Sequence, residues 1–264
     1  MKKVKISHEV PFCLLTKSRE FNDYDYCLPH LMDEYKEYED FFTISKSMGR
    51  YIVMDNSLHE LGEAYNTERL MYWVNTIKPN EFIVPDVWEN YNESARNAKA
   101  WASVELPEGV MKVAVVQAKS LHEANLCVKL YRDLGYQKIA FSYGASYYND
   151  LAPHPNKDFG KAIGRFYAIN KMYQDKTLLN SDRVHLLGTA SPIEFGLYLN
   201  MKFIESIDTS NPIMAGIEKQ TYNNLGLSIK PKANMNAFQN INKNNIETKL
   251  IEYNVRKFRE INGL

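Results

Sequence analysis

Cysteine is scarce in this sequence, and the three residues present, Cys13, Cys27 and Cys127, lie far apart. An odd number of cysteines without a CxxC pair argues against a disulfide framework and against a cysteine-based zinc site. The sequence also lacks any apolar run of about 18 residues, and its basic start, MKKVKISHEVPF, is not followed by a signal-like apolar segment. We therefore expect a protein of a reducing, cytoplasmic compartment that has no membrane partner.

Charge of one sign is not in excess either. The 32 Lys and Arg residues balance the 32 Asp and Glu residues, so a nucleic-acid partner would need a local basic patch. Glycine-rich turns of the GxGxxG or P-loop type follow none of the apolar runs, which argues against the usual dinucleotide and nucleoside triphosphate sites. With 264 residues, 45% of them hydrophobic, the chain is long enough to bury a large core.

Short apolar, β-branched runs alternate along the chain with longer segments of helical period. Such alternation is typical of βα units that build a parallel sheet. The predicted strands are 12–16 (FCLLT), 50–55 (RYIVMD), 81–86 (EFIVPD), 112–117 (KVAVVQ), 138–143 (KIAFSY), 183–188 (RVHLLG) and 203–208 (FIESID). An eighth strand over 225–230 (LGLSIK) would close a (β/α)8 TIM-type barrel. The alternative is an open doubly wound sheet, which the missing glycine-rich turns disfavour.

Apolar residues recur at helical spacing between these runs, so the helices are expected to cover the outer face of the sheet. The predicted faces are Leu31, Tyr35, Tyr38 and Phe42; Leu70, Trp73, Val74 and Ile77; and Ala124, Cys127, Val128 and Tyr131. Two helix starts are predicted as capping boxes, Ser120 with Glu123 and Ser191 with Glu194.

The segment 231–247 is rich in Asn and Lys and predicts an exposed connector. A closing helix with Ile251, Val255 and Phe258 on its apolar face is expected to follow. The whole chain, 1–264, is therefore predicted to form a single barrel domain.

Polar or small residues stand at the C-terminal ends of successive predicted strands: Asp55, Asp86, Gln117, Gly144 and Asp208. In a barrel these ends meet on one face, where active sites are built. Carboxylates and an amide around one mouth suit a reaction with an oxocarbenium-like centre and an acid/base partner, and they would equally suit a divalent metal. Asp and Asn also end strands simply as turn formers and helix caps.

The order of these motifs resembles the queuine/archaeosine tRNA-guanine transglycosylase superfamily over roughly residues 50–216. The matching pieces are Asp55 after YIVM, Asp86 in VPD, Gln117 in VVQ, Gly144, the segment HLLGTASP (185–192) with Glu194, and DTSNP (208–212). The resemblance implies that Asp208 attacks C1′ of a guanine nucleoside and holds the sugar covalently until a 7-deazaguanine base replaces guanine. The chemistry is that of a retaining glycosidase with a base as acceptor.

The resemblance also implies roles for the other residues. Asp55 would shuttle the proton, Asp86 and Gln117 would bind the base edge, Gly144 would bring backbone close to the ring, and Leu187 would pack against the base. No cofactor or metal is implied for the reaction. His59 and Glu60 stand where the family has a Gly-Gly-aromatic-Gln stretch. His185 is assigned no catalytic role, since a lone histidine in a strand is usually a core residue.

No cysteine or histidine follows Asp208, so the family's structural zinc segment is missing, and no added RNA-binding domain is expected. In this the chain is similar to the compact phage-type DNA-guanine transglycosylases. The expected partners are therefore a nucleic acid, preferably DNA with tRNA as the alternative, and a free 7-deazaguanine base. Predicted phosphate contacts are Lys219, Lys230, Lys232 and Arg165. The oligomeric state stays open.

Two readings from other classes remain at the level of sequence. One is a non-catalytic base-binding subunit that supports an active homologue, against which the retention of Asp208 and Asp55 argues. The other is a metal-dependent barrel hydrolase that would use Asp55, Asp86 and Asp208 as oxygen ligands.

Overall fold

The protein forms a parallel eight-stranded barrel with helices around it. The computed structural model describes residues 4–227 and 238–264. Within them the strands are β1 Lys5–Ser7, β2 Asp25–Cys27, β3 Ile52–Met54, β4 Glu81–Ile83, β5 Met111–Val116, β6 Lys138–Ser142, β7 Val184–Leu187 and β8 Ile204–Asp208. The predicted (β/α)8 TIM-type class is thus confirmed.

The strands follow one another around the barrel in chain order. Each strand from β2 to β8 pairs in parallel with the next, and β8 pairs with β1. Between β1 and β2 the barrel is held by hydrogen bonds from the segment before β2: the Asp23 N–H donates to the Ile6 carbonyl, and the Ile6 N–H donates to the Asp23 carboxylate. The barrel is therefore nearly closed.

Eleven α-helices are present in the described part of the chain. They are α1 Leu15–Ser18, α2 Pro29–Glu34, α3 Lys36–Ser47, α4 Leu58–Leu61, α5 Thr67–Ile77, α6 Tyr91–Ala102, α7 Leu121–Asp133, α8 Tyr147–Leu151, α9 Lys157–Gln174, α10 Asn211–Ile217 and α11 Thr248–Ile261. The predicted apolar faces of α5 and α7 are buried. The first predicted face is shared by α2 and α3, because the chain becomes extended at Tyr35.

Alternate residues of the strands fill the barrel interior. Small apolar side chains of β3 to β6 form its inner cluster, among them Val53, Ile83, Val113 and Ala140. The buried ion pair between Lys138 and Glu81 also occupies the barrel interior. The outward-facing side chains belong to the larger core between the sheet and the helices. This period of two determines which residues reach the mouth.

Two of the predicted strands are wrong. FCLLT is helical, with a 3-10 turn at Phe12–Leu14 followed by α1. A short apolar run has no period that distinguishes a strand from a buried helix. Residues 225–227 of the predicted eighth strand form a turn with a bridge between Asn223 and Gly226, and the rest of that run lies outside the described residues. β1 and β2 take the two places in the barrel.

One of the two predicted helix starts is confirmed with Ser120 as N-cap, and its return hydrogen bond reaches one residue further back than in a capping box. The Ser120 hydroxyl accepts from the Glu123 N–H, and the Glu123 carboxylate accepts from the Lys119 N–H. The box at Ser191 is wrong, since Glu194 turns into the core and pairs with Arg165. A short 3-10 helix, Glu194–Tyr198, follows there.

The predicted closing helix is α11, and Ile251, Val255 and Phe258 are buried on it. The connector 231–247 is described only from residue 238 onward. Within that part residues 240, 242–245 and 247 are exposed, as predicted, whereas Gln239 and Ile246 are buried. Phe12 donates its N–H to the Gln239 carbonyl, which ties this segment to the barrel. No helix in the described ranges is long and apolar enough to cross a membrane.

Candidate active site

A cavity of about 520 Å³ opens at the C-terminal ends of the strands. Five of the residues predicted for the site line it together: Asp55, Asp86, Gln117, Leu187 and Asp208. Strand periodicity explains most of this convergence. Side chains two residues apart on a strand point to the same side. Val53, Val115 and Ser206 point into the barrel, so the residues two positions later, Asp55, Gln117 and Asp208, point toward the cavity. The cavity has the size of a small-molecule site.

Asp208 ends β8 at the wall of this cavity, and its side chain is 20% exposed. The His185 ring on β7 lies beside it, with Nε2 3.0 Å from Asp208 Oδ1. The Gly188 N–H donates to both carboxylate oxygens at 3.3 Å. Asp208 is therefore held from one side by neighbouring strand ends and faces the cavity with the other.

Gly188 can present its N–H to Asp208 because it has a left-handed backbone, with φ at +61°. A Cβ at this position would lie 2.4 Å from Cδ1 of Tyr143. Both the backbone angle and the close approach of the Tyr143 ring therefore require glycine.

Asp86 lies at the centre of a buried amide–carboxylate network. Asn56 Nδ2 donates to Asp86 Oδ1 and Gln117 Nε2 donates to Asp86 Oδ2, both at 2.6 Å. The other end of Gln117 accepts the Glu89 N–H at 2.9 Å. Burial raises the pKa of Asp86 to about 6, against the opposing effect of the two amide donors. The predicted base-binding pair is thus a fixed unit.

Three further carboxyl groups face the same cavity: Asp55, Glu9 and Glu60. Loss of solvent raises the pKa of Asp55 well above its usual range, and Glu60, Asp86 and Asp208 raise it further. The pKa of Glu9 is also raised well above normal, by burial first. Burial raises the pKa of Glu60 to about 7. These carboxyl groups therefore keep their protons to a higher pH than exposed Asp and Glu side chains do.

Gly144 is close to the cavity and makes room for an aromatic ring of the protein. A Cβ at Gly144 would lie 2.4 Å from Cη2 of Trp88, which lines the cavity. The Gly144 carbonyl accepts from Lys161 Nζ at 3.2 Å. Glycine at this position therefore makes room for the Trp88 ring, and the contact of Gly144 with a base stays a prediction.

The carboxylates do not form a metal-ligand group. Among residues 4–227 and 238–264, no three His, Cys, Asp or Glu side chains are grouped so as to hold a metal ion. Asp55, Asp86 and Asp208 line one cavity, but each has its own set of neighbours. This geometry gives no support to the metal-dependent hydrolase.

Comparison with known proteins adds no relative to this picture. No protein-family model matches the chain, and no curated protein matches it. The cavity and its residues are therefore the basis on which a function is proposed.

The two predicted nucleic-acid contacts that the structure describes, Arg165 and Lys219, are not available at the mouth. Arg165 was expected on the surface and is fully buried: it pairs with Glu194 at 2.6 Å and donates to the carbonyls of the strand ends. A phosphate cannot reach it. Lys219 is exposed but follows the far end of α10, about 10 Å along that helix from the mouth. Lys230 and Lys232 lie outside the described residues.

Sequence reasoning missed four residues that shape the site: His185, Glu9, Glu60 and Trp88. His185 could have been found by period, because residues 185 and 187 both face inward beside Asp208. Glu9 follows the inward-facing Ser7 by two residues, but β1 itself was not predicted. Glu60 and Trp88 come from loops and short helices, where no period applies.

Proposed function

We propose that this protein is a base-exchange transglycosylase that replaces guanine in a nucleic acid, preferably DNA, by a 7-deazaguanine. The observation that carries the proposal is the setting of Asp208. Its carboxylate is held by His185 and Gly188 and lines a cavity that also contains Asp55 and the Asp86–Gln117 unit. A held carboxylate opposite acid and amide groups suits covalent glycosyl transfer.

The proposed reaction has two displacements at one carbon. In the first, an Asp208 oxygen forms a bond to C1′ of the target nucleotide while the C1′–N9 bond breaks, and the electron pair of that bond leaves with guanine. In the second, N9 of the incoming 7-deazaguanine forms the new bond to C1′ and releases the Asp208 carboxylate. One base is exchanged for another, with no net oxidation or hydrolysis.

Asp55 is the proposed carrier of the proton. Loss of solvent and the neighbouring carboxylates raise its pKa, so it is protonated at a pH at which an exposed Asp is not. A protonated Asp55 gives its proton to the departing guanine and takes one from N9–H of the incoming base. Its state is therefore restored after each exchange.

Asp86 and Gln117 are the proposed partners of the base edge. Guanine and 7-deazaguanine both present N1–H and an exocyclic amine as donors, which suit a carboxylate acceptor. Each oxygen of Asp86 accepts one amide bond and keeps a further lone pair for the base. Leu187 lines the same cavity and supplies an apolar surface for the ring.

The cavity favours entry of a base without its phosphates. Six carboxyl groups line it, against one lysine among the described lining residues. A phosphate finds one lysine there to balance its charge, whether or not the carboxyl groups are protonated, whereas a neutral base needs no such partner. The target nucleotide therefore has to be turned out of the stack, as in other enzymes that act on a base in a duplex. Residues 209–264 contain no cysteine or histidine that could bind the family's zinc, which favours DNA over tRNA.

The test is exchange of labelled guanine. The protein is incubated with 8-¹⁴C-guanine and either duplex DNA or unmodified tRNA, and the label in the polymer is counted. We expect incorporation into DNA that Asp208→Asn abolishes. The matched control is Asp175→Asn. Asp175 is an exposed aspartate at the C-terminal end of α9 and pairs with Lys171, so this substitution should leave incorporation unchanged.

The outcomes separate the two parts of the proposal. Incorporation into tRNA alone would contradict the choice of DNA and keep the chemistry. If the folded wild-type protein incorporates guanine into neither polymer, that result would contradict base exchange itself.

A further inference from the structure

We infer that His185 is a positioning residue for Asp208, and that a buried lysine, Lys138, sets the tautomer in which it works. The inference deepens the proposed function, since it takes Asp208 as the nucleophile. It also identifies Oδ2 as the oxygen of Asp208 that attacks.

A continuous chain of hydrogen bonds leads from the barrel interior to the mouth. Lys138 Nζ lies 2.8 Å from Glu81 and 2.7 Å from Ser206 Oγ. Ser206 Oγ lies 2.8 Å from His185 Nδ1, and His185 Nε2 lies 3.0 Å from Asp208 Oδ1. All of these groups except Asp208 are buried. The chain is thus shielded from water up to its last member.

The direction of each hydrogen bond follows from chemistry. An ammonium group only donates, so Ser206 Oγ accepts from Lys138, and its own hydrogen is free to point at His185 Nδ1. In a neutral ring Nδ1 then accepts this hydrogen, which leaves the ring proton on Nε2. An unprotonated Nε2 would set two lone pairs against each other, 3.0 Å from a carboxylate oxygen. The proton on Nε2 is therefore donated to Asp208 Oδ1.

The His185 ring has little freedom to leave this position. Tyr26 stacks on it, with ring centroids 6.2 Å apart and planes 15° from parallel, and Tyr24 meets it edge-on at 6.5 Å. The Tyr24 hydroxyl donates to the Ile207 carbonyl at 2.6 Å, in the strand that carries Asp208. Tyr24 therefore contacts both the His185 ring and the strand that carries the Asp208 carboxylate.

The two oxygens of Asp208 are left unequal by these contacts. Within residues 4–227 and 238–264, Oδ1 accepts from His185 Nε2 and from the Gly188 N–H, whereas Oδ2 accepts from the Gly188 N–H alone, at 3.3 Å. The oxygen with fewer donors keeps more of its charge available. Oδ2 is therefore the nucleophilic atom, while Oδ1 serves to fix the rotamer.

The first measurement compares two substitutions of His185. The Gln amide nitrogen reaches about as far as Nε2 and can donate to Asp208, whereas the Asn amide reaches only as far as Nδ1. We expect H185N to lower the single-turnover rate of base exchange roughly ten- to hundred-fold, with KM for DNA unchanged, and H185Q to stay near the wild-type rate. Equal rates in H185N and the wild type, or equal losses in both variants, would overturn the inference.

The second measurement needs no activity and no substitution. Long-range ¹H–¹⁵N NMR spectra of the wild-type protein distinguish a protonated ring nitrogen from an unprotonated one. We expect a proton on Nε2 of His185 and none on Nδ1. A proton on Nδ1 in the wild type would overturn the assignment. If the NMR spectra show the expected tautomer but the protein exchanges no base, the proposed function is contradicted and the His185–Asp208 contact is not.

Discussion

Arg165 provides a sharp test of how the mouth of the barrel is built. Its guanidinium is fully buried and makes four hydrogen bonds: Nε to Glu194, Nη1 to the Phe141 and Leu187 carbonyls, and Nη2 to the Gly188 carbonyl. These carbonyls belong to the ends of β6 and β7, next to the turn that presents the Gly188 N–H to Asp208. The arginine therefore joins α9 to the part of the barrel that holds Asp208, the proposed nucleophile.

Replacing Arg165 by Met leaves the Glu194 carboxylate buried without its cation. Breaking a buried ion pair from one side costs about 3–5 kcal/mol. For a chain of this size 1 kcal/mol corresponds to roughly 2–4 °C in Tm, so we expect a fall of about 6–20 °C. Arg165→Lys keeps the charge but loses the planar fork, and we expect a smaller fall.

The assay is urea unfolding followed by circular dichroism, with DNA affinity measured in parallel. The double variant Arg165→Met/Glu194→Met removes both charges and should regain much of the loss, which also provides a readout where the single variant fails to fold. Arg96→Met is the matched control, an exposed arginine paired with Glu93 on α6. Wild-type stability in Arg165→Met, together with weaker DNA binding, would refute the structural role and restore the surface contact expected from sequence.

Two further predictions concern the cavity wall. Burial raises the pKa of Asp86 from 3.8 to about 6, so the unfolded chain ionises at a lower pH than the folded protein does. The stability of the wild type relative to Asp86→Asn should therefore fall by about 2 kcal/mol as pH rises from about 4 to about 6. A pH-independent difference in urea unfolding would contradict this prediction. Gly188→Ala should slow the proposed base exchange and lower the free energy of unfolding by more than the roughly 1–2 kcal/mol of a left-handed alanine, because its Cβ meets Tyr143. Gly49→Ala, with φ at +72° and no atom within 4 Å of its Cβ, should lose only that backbone contribution. Equal losses of stability in both variants would exclude the Tyr143 contact.

The barrel could be predicted from the sequence because its central strands carry their own signal. The runs around Ile52, Val113, Ile139 and Val184 are apolar, β-branched and separated by helical periods, and all four are strands. The residues after such strands converge in any parallel barrel. Asp55, Gln117 and Asp208 could therefore be assigned to one site before their distances were known.

β1 and β2 could not be predicted in the same way. Each has only three residues, and the polar side chains of Ser7 and Asp25 are buried on them. Asp25 is compensated by Arg50, which lies 25 residues along the chain and donates at 2.7 Å. Pairing over such a separation leaves no local pattern. With β1 missed, Glu9 could not be placed at the mouth.

The fate of Arg165 and His185 shows the same limit from the side of chemistry. An arginine is usually exposed and a lone strand histidine is usually inert. Arg165 is buried because Glu194, 29 residues later, turns into the core and pairs with it. His185 contacts a cavity residue because Asp208 lies on the next strand. Neither partner can be read from the residue's own neighbourhood in the sequence.

Capture of the covalent intermediate tests the central claim most directly. The protein is mixed with guanine-containing DNA without an incoming base, denatured, and examined by intact mass spectrometry and by peptide mapping. We predict an adduct of DNA on the peptide that contains Asp208, present in the wild type and in Asp175→Asn and missing in Asp208→Asn. An adduct that persists in Asp208→Asn, or one that maps to another carboxylate of the cavity such as Glu9, would contradict Asp208 as the nucleophile.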